Sequence, residues 1–463
     1  MALECPNHKT SLHALGKKAL DSYHKGIVYP RYTEAKAAED EPRVPDPNIF
    51  NILDTAVPTT SSDMTRLPNI AECATHLELL ETFYVLRQKI LRSETVDGVF
   101  GISPNPQQKT GRHGDTKLLK DQTLWERRQV KWPKFIEIAV IRFLIWRDLC
   151  ERDVSKYKTP PVDVLMVWHA FLLNPRLFRV HCGEGSFFRR QFPWSRVHKA
   201  INNSDWTFVM PQEAAETFEE GTGLSSDLLE ELSDWKASHE EFNSELVGSM
   251  ASLTLEDHPR IPDWVAALPA EDQVRRHFDA LHLIDSGLAV QFRDAVPRQA
   301  SFVDKMNAHM WIRSPGLPGT LNRAVDRYSK FLRLMKLYPT TMFVPTLDID
   351  LAWHTHQCSP RMYFRGTQLW AGRFINHDDT IVKDTLDDGF DTTKKLFRVH
   401  FGKEYRNCGC WDCEALLSAL EHPAKDENGL VKMESIARDV DAEVAYFRAI
   451  ETARRKKQPL PVR

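Results

Sequence analysis

Glycine is scarce here, at 20 in 463 residues, and no glycine-rich phosphate loop can be found, which removes the folds that cradle nucleotides on one. Charge of one sign is lacking as well. A formal net charge of −3 gives no global electrostatic pull toward nucleic acid or an anionic membrane. Long apolar runs are also missing. Phe135 to Trp146 and Val162 to Leu173 are the longest, and both fall short of the roughly 20 apolar residues a spanning helix needs. The start, MALECPNHKTSLHALGKK, carries no signal-peptide core, and eight cysteines in a chain this size make no disulfide framework. The expectation is a protein with no membrane partner, placed in the cytoplasm or nucleus.

What is present is ordinary globular composition, 42% hydrophobic and 27% charged, with helical periodicity through most of the chain. Ile70, Cys73, Leu77, Leu80, Phe83 and Leu86 recur at helical spacing after Pro68. Pro133 fits the first turn of a helix through KFIEIAVIRFLIWRDL. Thr320 reads as an N-cap for LNRAVDRYSKFLRLMKL. The middle region offers SSDLLEELSDWKASHEEFNSEL and EDQVRRHFDALHLI, and Val431 to Arg454 reads as a last helix. Arg31 to Asp63 and Ser103 to Asp121 read as loops, the second with a small basic cluster of Lys109, Arg112, Lys117 and Lys120.

The strongest feature is a self-match at a fixed interval of 185 residues, the distance from Trp168 to Trp353. PPVDVLMVWHAFLLNPRLF (Pro160 to Phe178) aligns without a gap on PTLDIDLAWHTHQCSPRMY (Pro345 to Tyr363), and AVIRF upstream aligns on AVDRY. The fold class expected is mainly α, with two related helix-loop-helix repeats around a buried Trp-His helix. Four parts follow: 1–64 partly irregular, 65–200 the first helical module, 201–316 a helical middle region, and 317–463 the second module. On a helical wheel Ile349, Ala352, Trp353 and His356 share one face, and Leu347, Leu351, His354 and Cys358 another, so the helix is apolar on two sides and central.

The second copy adds polar groups to that buried helix. Asp350 replaces Leu165, His356 replaces Phe171 and Cys358 replaces Leu173. Burying such groups costs several kcal/mol unless they are paired or liganded, so a site belongs in this copy. Cys408, Cys410 and Cys413 form a C-x-C-x-x-C cluster, which suits a metal, a redox pair or plain packing of reduced thiols. Zinc would need a fourth ligand, and the expectation is one joint zinc site made by Cys408, Cys410 and Cys413 with His354 or Cys358. His377-x-Asp379 with His400 and Arg406 superficially fits a two-His, one-carboxylate iron motif, but His113-x-Asp115 shows how cheaply that pattern arises. His354 and His356, two apart on a helix, point to opposite sides.

WHTHQ after a Pro-x-x-Asp start, AECATHLELLETFYVLR (Ala71 to Arg87), AVIRF and CGCWDCE (Cys408 to Glu414) together resemble the glycine-rich domain-containing protein-like family of plants and fungi, most of all its fungal branch. The resemblance runs from about residue 65 onward. Plant relatives carry a glycine-rich tail and sometimes an RNA-recognition domain, and neither is found here. The resemblance implies no settled activity. The leading expectation is therefore a helical interaction or regulatory protein with a protein partner and a structural metal. The alternative is a metal-dependent enzyme, non-haem iron oxygenase-like, acting through the second repeat.

Overall fold

A computed structural model describes residues 33–34, 45–54, 63–110, 116–119, 121–153, 156–238, 286–378, 381, 383–421 and 433–462. Helix dominates among them. No helix among the described residues is long and apolar enough to cross a membrane. The helix Ile70–Arg92 forms over the predicted spacing, and Lys131–Arg152 holds Pro133 in its first turn. EDQVRRHFDALHLI and the sequence beyond Ser238 of the other middle run lie outside the described residues.

Two expectations need correction. Ser103 to Asp121 is not all loop: Gln107–Thr110 pairs antiparallel with Thr116–Leu119, with Lys109 opposite Lys117. QQKT and TKLL give no apolar–polar alternation to read. Thr320 does not cap its helix either. The helix starts earlier, at Leu317, with Pro318 in its first turn, so Thr320 is interior and donates to the Gly316 carbonyl and Glu414 Oε2, each at 3.0 Å.

The chain divides into two compact units rather than the four parts expected. One comprises Met1–Glu81, Asn203–Asp205 and Asp304–Arg463, the other Thr82–Asn202 and Trp206–Val303. The expected middle region is therefore split between them. The chain crosses from one unit to the other within the unbroken helix Ile70–Arg92, so no composition shift marks the crossing.

Each unit contains one copy of the repeat, and the elements keep the sequence interval. Val162–Leu172 and Leu347–Gln357 are both eleven-residue helices whose ends differ by that same interval. Each follows a long helix, Lys131–Arg152 or Leu317–Leu337, and precedes a proline-started one, Pro175–Cys182 or Pro360–Ala371. Trp168 is 1% exposed and Trp353 5%. Arg142 Nε meets Asp163 Oδ2 at 2.6 Å, and Arg327 Nε meets Asp348 Oδ2 at 2.6 Å. Phe143 and Phe171 meet edge-to-face at 6.1 Å and 75°; their counterparts Tyr328 and His356 do so at 5.8 Å and 78°. The same geometry thus carries two chemistries. The second copy adds a hydrogen bond, Tyr328 Oη to His356 Nδ1 at 3.0 Å, where the first has only ring contact.

One substitution shows how the second copy becomes polar. Trp353 Nε1 donates to Tyr363 Oη at 2.8 Å, and Tyr363 Oη donates to the Ile375 carbonyl at 2.9 Å. Tyr363 has Phe178 as its counterpart, and the buried Trp168 Nε1 accordingly finds no acceptor. Tyr363 therefore fixes the segment after Gly372, where φ of +73° at the C-cap turns the chain back. Arg373 Nη1 adds a bond to the Met335 carbonyl at 2.6 Å.

Glu81 is a buried acid in the second-copy unit. Asn307 Nδ2 donates to its Oε2 at 2.6 Å. Burial pushes its pKa up to about 7, with Glu451 adding to the rise and the Asn307 bond, Arg455 and Arg313 opposing it. Between the ordinary carboxyl value of 4.5 and 7 the folded state holds the proton more tightly than the unfolded one, so stability falls as pH rises through that window. Glu81→Gln keeps an acceptor for Asn307 and removes the titration. Denaturant midpoints against pH should lose their decline between those values, with a gain of about 1–3 kcal/mol at neutral pH. An unchanged slope would show that Glu81 ionises freely in the fold.

Candidate metal centre

Asp350 and His354 lie one turn apart on the central helix Leu347–Gln357, so both side chains leave the same side. His377 comes from the segment that Tyr363 and Arg373 fasten down. His354 Nε2 is 3.1 Å from His377 Nε2 and 3.3 Å from Asp350 Oδ1, and His377 Nε2 is 3.9 Å from that same oxygen. A triangle with those three edges has a circumradius of about 2.0 Å, the length of a metal–imidazole bond. These three atoms could therefore hold a divalent metal ion at ordinary bond length without any side chain moving.

The electrostatics point the same way. Burial pushes the Asp350 carboxyl up to about 7, with Asp348 adding to the rise and Lys305 opposing it. Its Oδ1 is buried and has no hydrogen-bond partner, although two imidazole nitrogens face it. A hydrogen bond between the two imidazoles accounts for their nitrogens but leaves that oxygen unsatisfied. A divalent cation accounts for all three atoms, and an unpaired buried carboxylate oxygen is otherwise expensive. His354 is 3% exposed, His377 12% and Asp350 22% by side chain, so the three donors are set in the fold yet reachable.

The first copy shows what this position looks like without the donors. Asp350 corresponds to Leu165, His354 to His169, and His377 to Phe192. Phe192 packs 5.1 Å from Trp168, and His377 packs 5.1 Å from Trp353. His169 lies 5.5 Å from the Phe83 ring, and burial holds its pKa down to about 3. One histidine is common to both copies; the other two donors belong to the second alone.

The residues expected from the sequence fall into separate places rather than one. Cys408, Cys410 and Cys413 bring their sulfurs within 4.8 Å of one another. His354 belongs to the separate Asp350, His354 and His377 group, and Cys358 joins neither. Cys358 is the buried C-cap of the helix, where burial drives its thiol well above the ordinary value. The joint zinc site is therefore not formed. The cysteine turn is fastened elsewhere: Trp311 Nε1 donates to the Gly409 carbonyl at 2.7 Å and Trp411 Nε1 to the His309 carbonyl at 2.8 Å. His400 bonds Tyr338 Oη at 2.8 Å, away from His377, and Asp379 lies outside the described residues. Between 179 and 192 no residue matches its partner at the same interval, so the sequence repeat gives no signal for His377.

Residues 269–366 match the family model described as Glycine-rich domain-containing protein-like. Over 97 residues the chain is 37% identical to Glycine-rich domain-containing protein 1 and 38% identical to Glycine-rich domain-containing protein 2, both of Arabidopsis thaliana. Each match covers 19% of this chain and 12% of the relative. The family-model match takes in Asp350 and His354 but ends before His377 and the cysteine cluster, and it does not reach back to Ala71–Arg87. No solved structure matches the chain. These matches support the family over its Trp-His segment.

Proposed function

We propose that this chain is a metal-dependent enzyme whose second repeat holds one divalent transition-metal ion on Asp350, His354 and His377. The observation that carries the reading is the convergence of Asp350 Oδ1, His354 Nε2 and His377 Nε2 on a point about 2.0 Å from each. Two imidazoles and a carboxylate are the donor set of mononuclear non-haem iron(II) sites, which keep further positions for water, dioxygen or substrate. The bound ion would act there as a Lewis acid or redox centre. Asp350 would offset one of the ion's two positive charges, and the two imidazoles would hold it from a helix and a fastened loop.

The interaction or regulatory role is a second reading, and exposed Leu369 and Trp370 on Pro360–Ala371 favour it. Membership of the fungal branch and a cytoplasmic or nuclear location are likewise proposals that rest on the sequence. Anaerobic titration of the full chain with iron(II), followed by nitric oxide, tests the leading reading. One iron per chain and the electron paramagnetic resonance signal of a high-spin iron–nitrosyl adduct are expected. Failure to bind iron(II), or bound iron with no position for nitric oxide, would overturn it.

A further inference from the structure

The chain carries a second group of donors whose chemistry differs from the first. Cys408, Cys410 and Cys413 lie on a tight turn into the helix Trp411–Glu421, with Gly409 at φ +72°. That left-handed turn, which glycine adopts without strain, allows cysteines on both sides of it to face one point. Cys410 is the residue from which the helix begins, its carbonyl accepting from Glu414 N at 2.9 Å, and Cys413 lies in the first turn. All three sulfurs fall within 4.8 Å of one another, and ligand sulfurs of tetrahedral zinc stand about 3.8 Å apart.

The fourth side of the turn is an imidazole. His309 ends the helix Ser286–His309, and its ring lies against Gly409: a Cβ there would come within 3.4 Å of His309 Cε1 and 3.7 Å of Nδ1. The two tryptophan bonds hold this arrangement from both sides, Trp311 to the Gly409 carbonyl and Trp411 to the carbonyl of His309 itself. The His309 and Trp311 rings lie 5.2 Å apart. The His309 ring also donates a hydrogen bond to the Gly409 backbone. A Cβ at position 409 would press on Trp311 Cζ2 at 3.2 Å while meeting the His309 ring at ordinary contact distance.

We infer that Cys408, Cys410 and Cys413 hold a structural zinc ion on three thiolates, and that the His309 ring turns in from beside Gly409 as the fourth ligand, which ties the end of Ser286–His309 to the start of Trp411–Glu421. With His309 turned in, the fourth position would be closed by protein rather than left to water, which is the mark of a structural site. The site is independent of Asp350, His354 and His377, because its thiolates are soft donors and those are not.

The test uses the full chain carrying Asp350→Leu and His377→Phe, so that the first donor group cannot contribute. Purified under reducing conditions, it should hold one zinc per chain. Cobalt(II) in place of zinc should show sulfur-to-cobalt charge transfer of three-thiolate intensity with the strong ligand-field bands of tetrahedral coordination. His309→Ala should keep the charge transfer and weaken zinc binding by about 10- to 100-fold. Cys410→Ser should lose both, and unchanged far-ultraviolet circular dichroism would separate this from unfolding. The inference is overturned by absence of cobalt–thiolate charge transfer in the parent, by an unaltered affinity and spectrum in His309→Ala, or by a disulfide within the cluster under those conditions.

Discussion

Asp350→Leu together with His377→Phe should lower the affinity for divalent iron or cobalt at the second-repeat site by about 100-fold or more, with the fold intact. Second-sphere changes alone cost ten- to hundred-fold, and these two changes remove two of three direct donors. The pair is chosen because the chain already contains it: Leu165 and Phe192 occupy the same positions in the first copy, buried to 0% and 3% exposure. Phe192 keeps the same ring distance to its tryptophan as His377 does. The replacements therefore suit the packing, and loss of metal cannot be ascribed to a cavity. Competition against a chromophoric chelator gives the affinity, and circular dichroism the fold. The cysteine cluster is monitored in the same titration by its thiolate bands. Equal iron affinity in variant and parent would remove the Asp350, His354 and His377 site altogether.

Helix positions and the repeat could be read from the sequence because both depend on local spacing. Trp168, Trp353 and the carboxylates after each proline recur in register, and a period of 3.6 residues needs no knowledge of distant contacts. Asp350 and His354 were visible for the same reason, as polar groups one turn apart on a helix whose first-copy counterpart is apolar at position 165. His377 was not. It lies beyond a turn at Gly372, and its position depends on Tyr363 Oη holding the Ile375 carbonyl, a bond no spacing rule contains. The cysteine cluster was visible because its members adjoin, whereas His309 is brought to it by Trp311 and Trp411 across a long stretch of chain. The joint zinc site failed for a related reason. Two sets of donors on buried elements looked like halves of one site, and the sequence holds no measure of the distance between them. Polar groups on a core helix indicate that a ligand or partner is needed, but not which group supplies it.

Arg142→Ala and Arg327→Ala should each destabilise by about 3–5 kcal/mol, the cost of leaving a buried partner charge uncompensated. The two arginines do the same work in the two copies. Each leaves its long helix and meets the aspartate in the first turn of the Trp-His helix, at 2.6 Å in both. Each also closes onto a distant backbone carbonyl, Arg142 Nη2 on Ser225 at 2.8 Å and Arg327 Nη2 on Tyr405 at 2.6 Å. Removing the guanidinium strands a carboxylate and an acceptor together, and the helix dipole recovers only about 0.3–1 kcal/mol for the aspartate. The Arg142 pair is the more enclosed, with side chains 3% and 2% exposed against 8% and 13% for Arg327 and Asp348. Arg142→Ala should accordingly lie toward the upper end of the range. Converting arginine and aspartate together to apolar residues of similar volume should recover most of the loss, since a buried pair is worth much less than the penalty for breaking it. Urea titration, with the transition of each unit followed separately, decides the matter. A loss below about 1 kcal/mol in either single variant would mean that water reaches the remaining carboxylate, and that the ion pair does not hold the Trp-His helix in place.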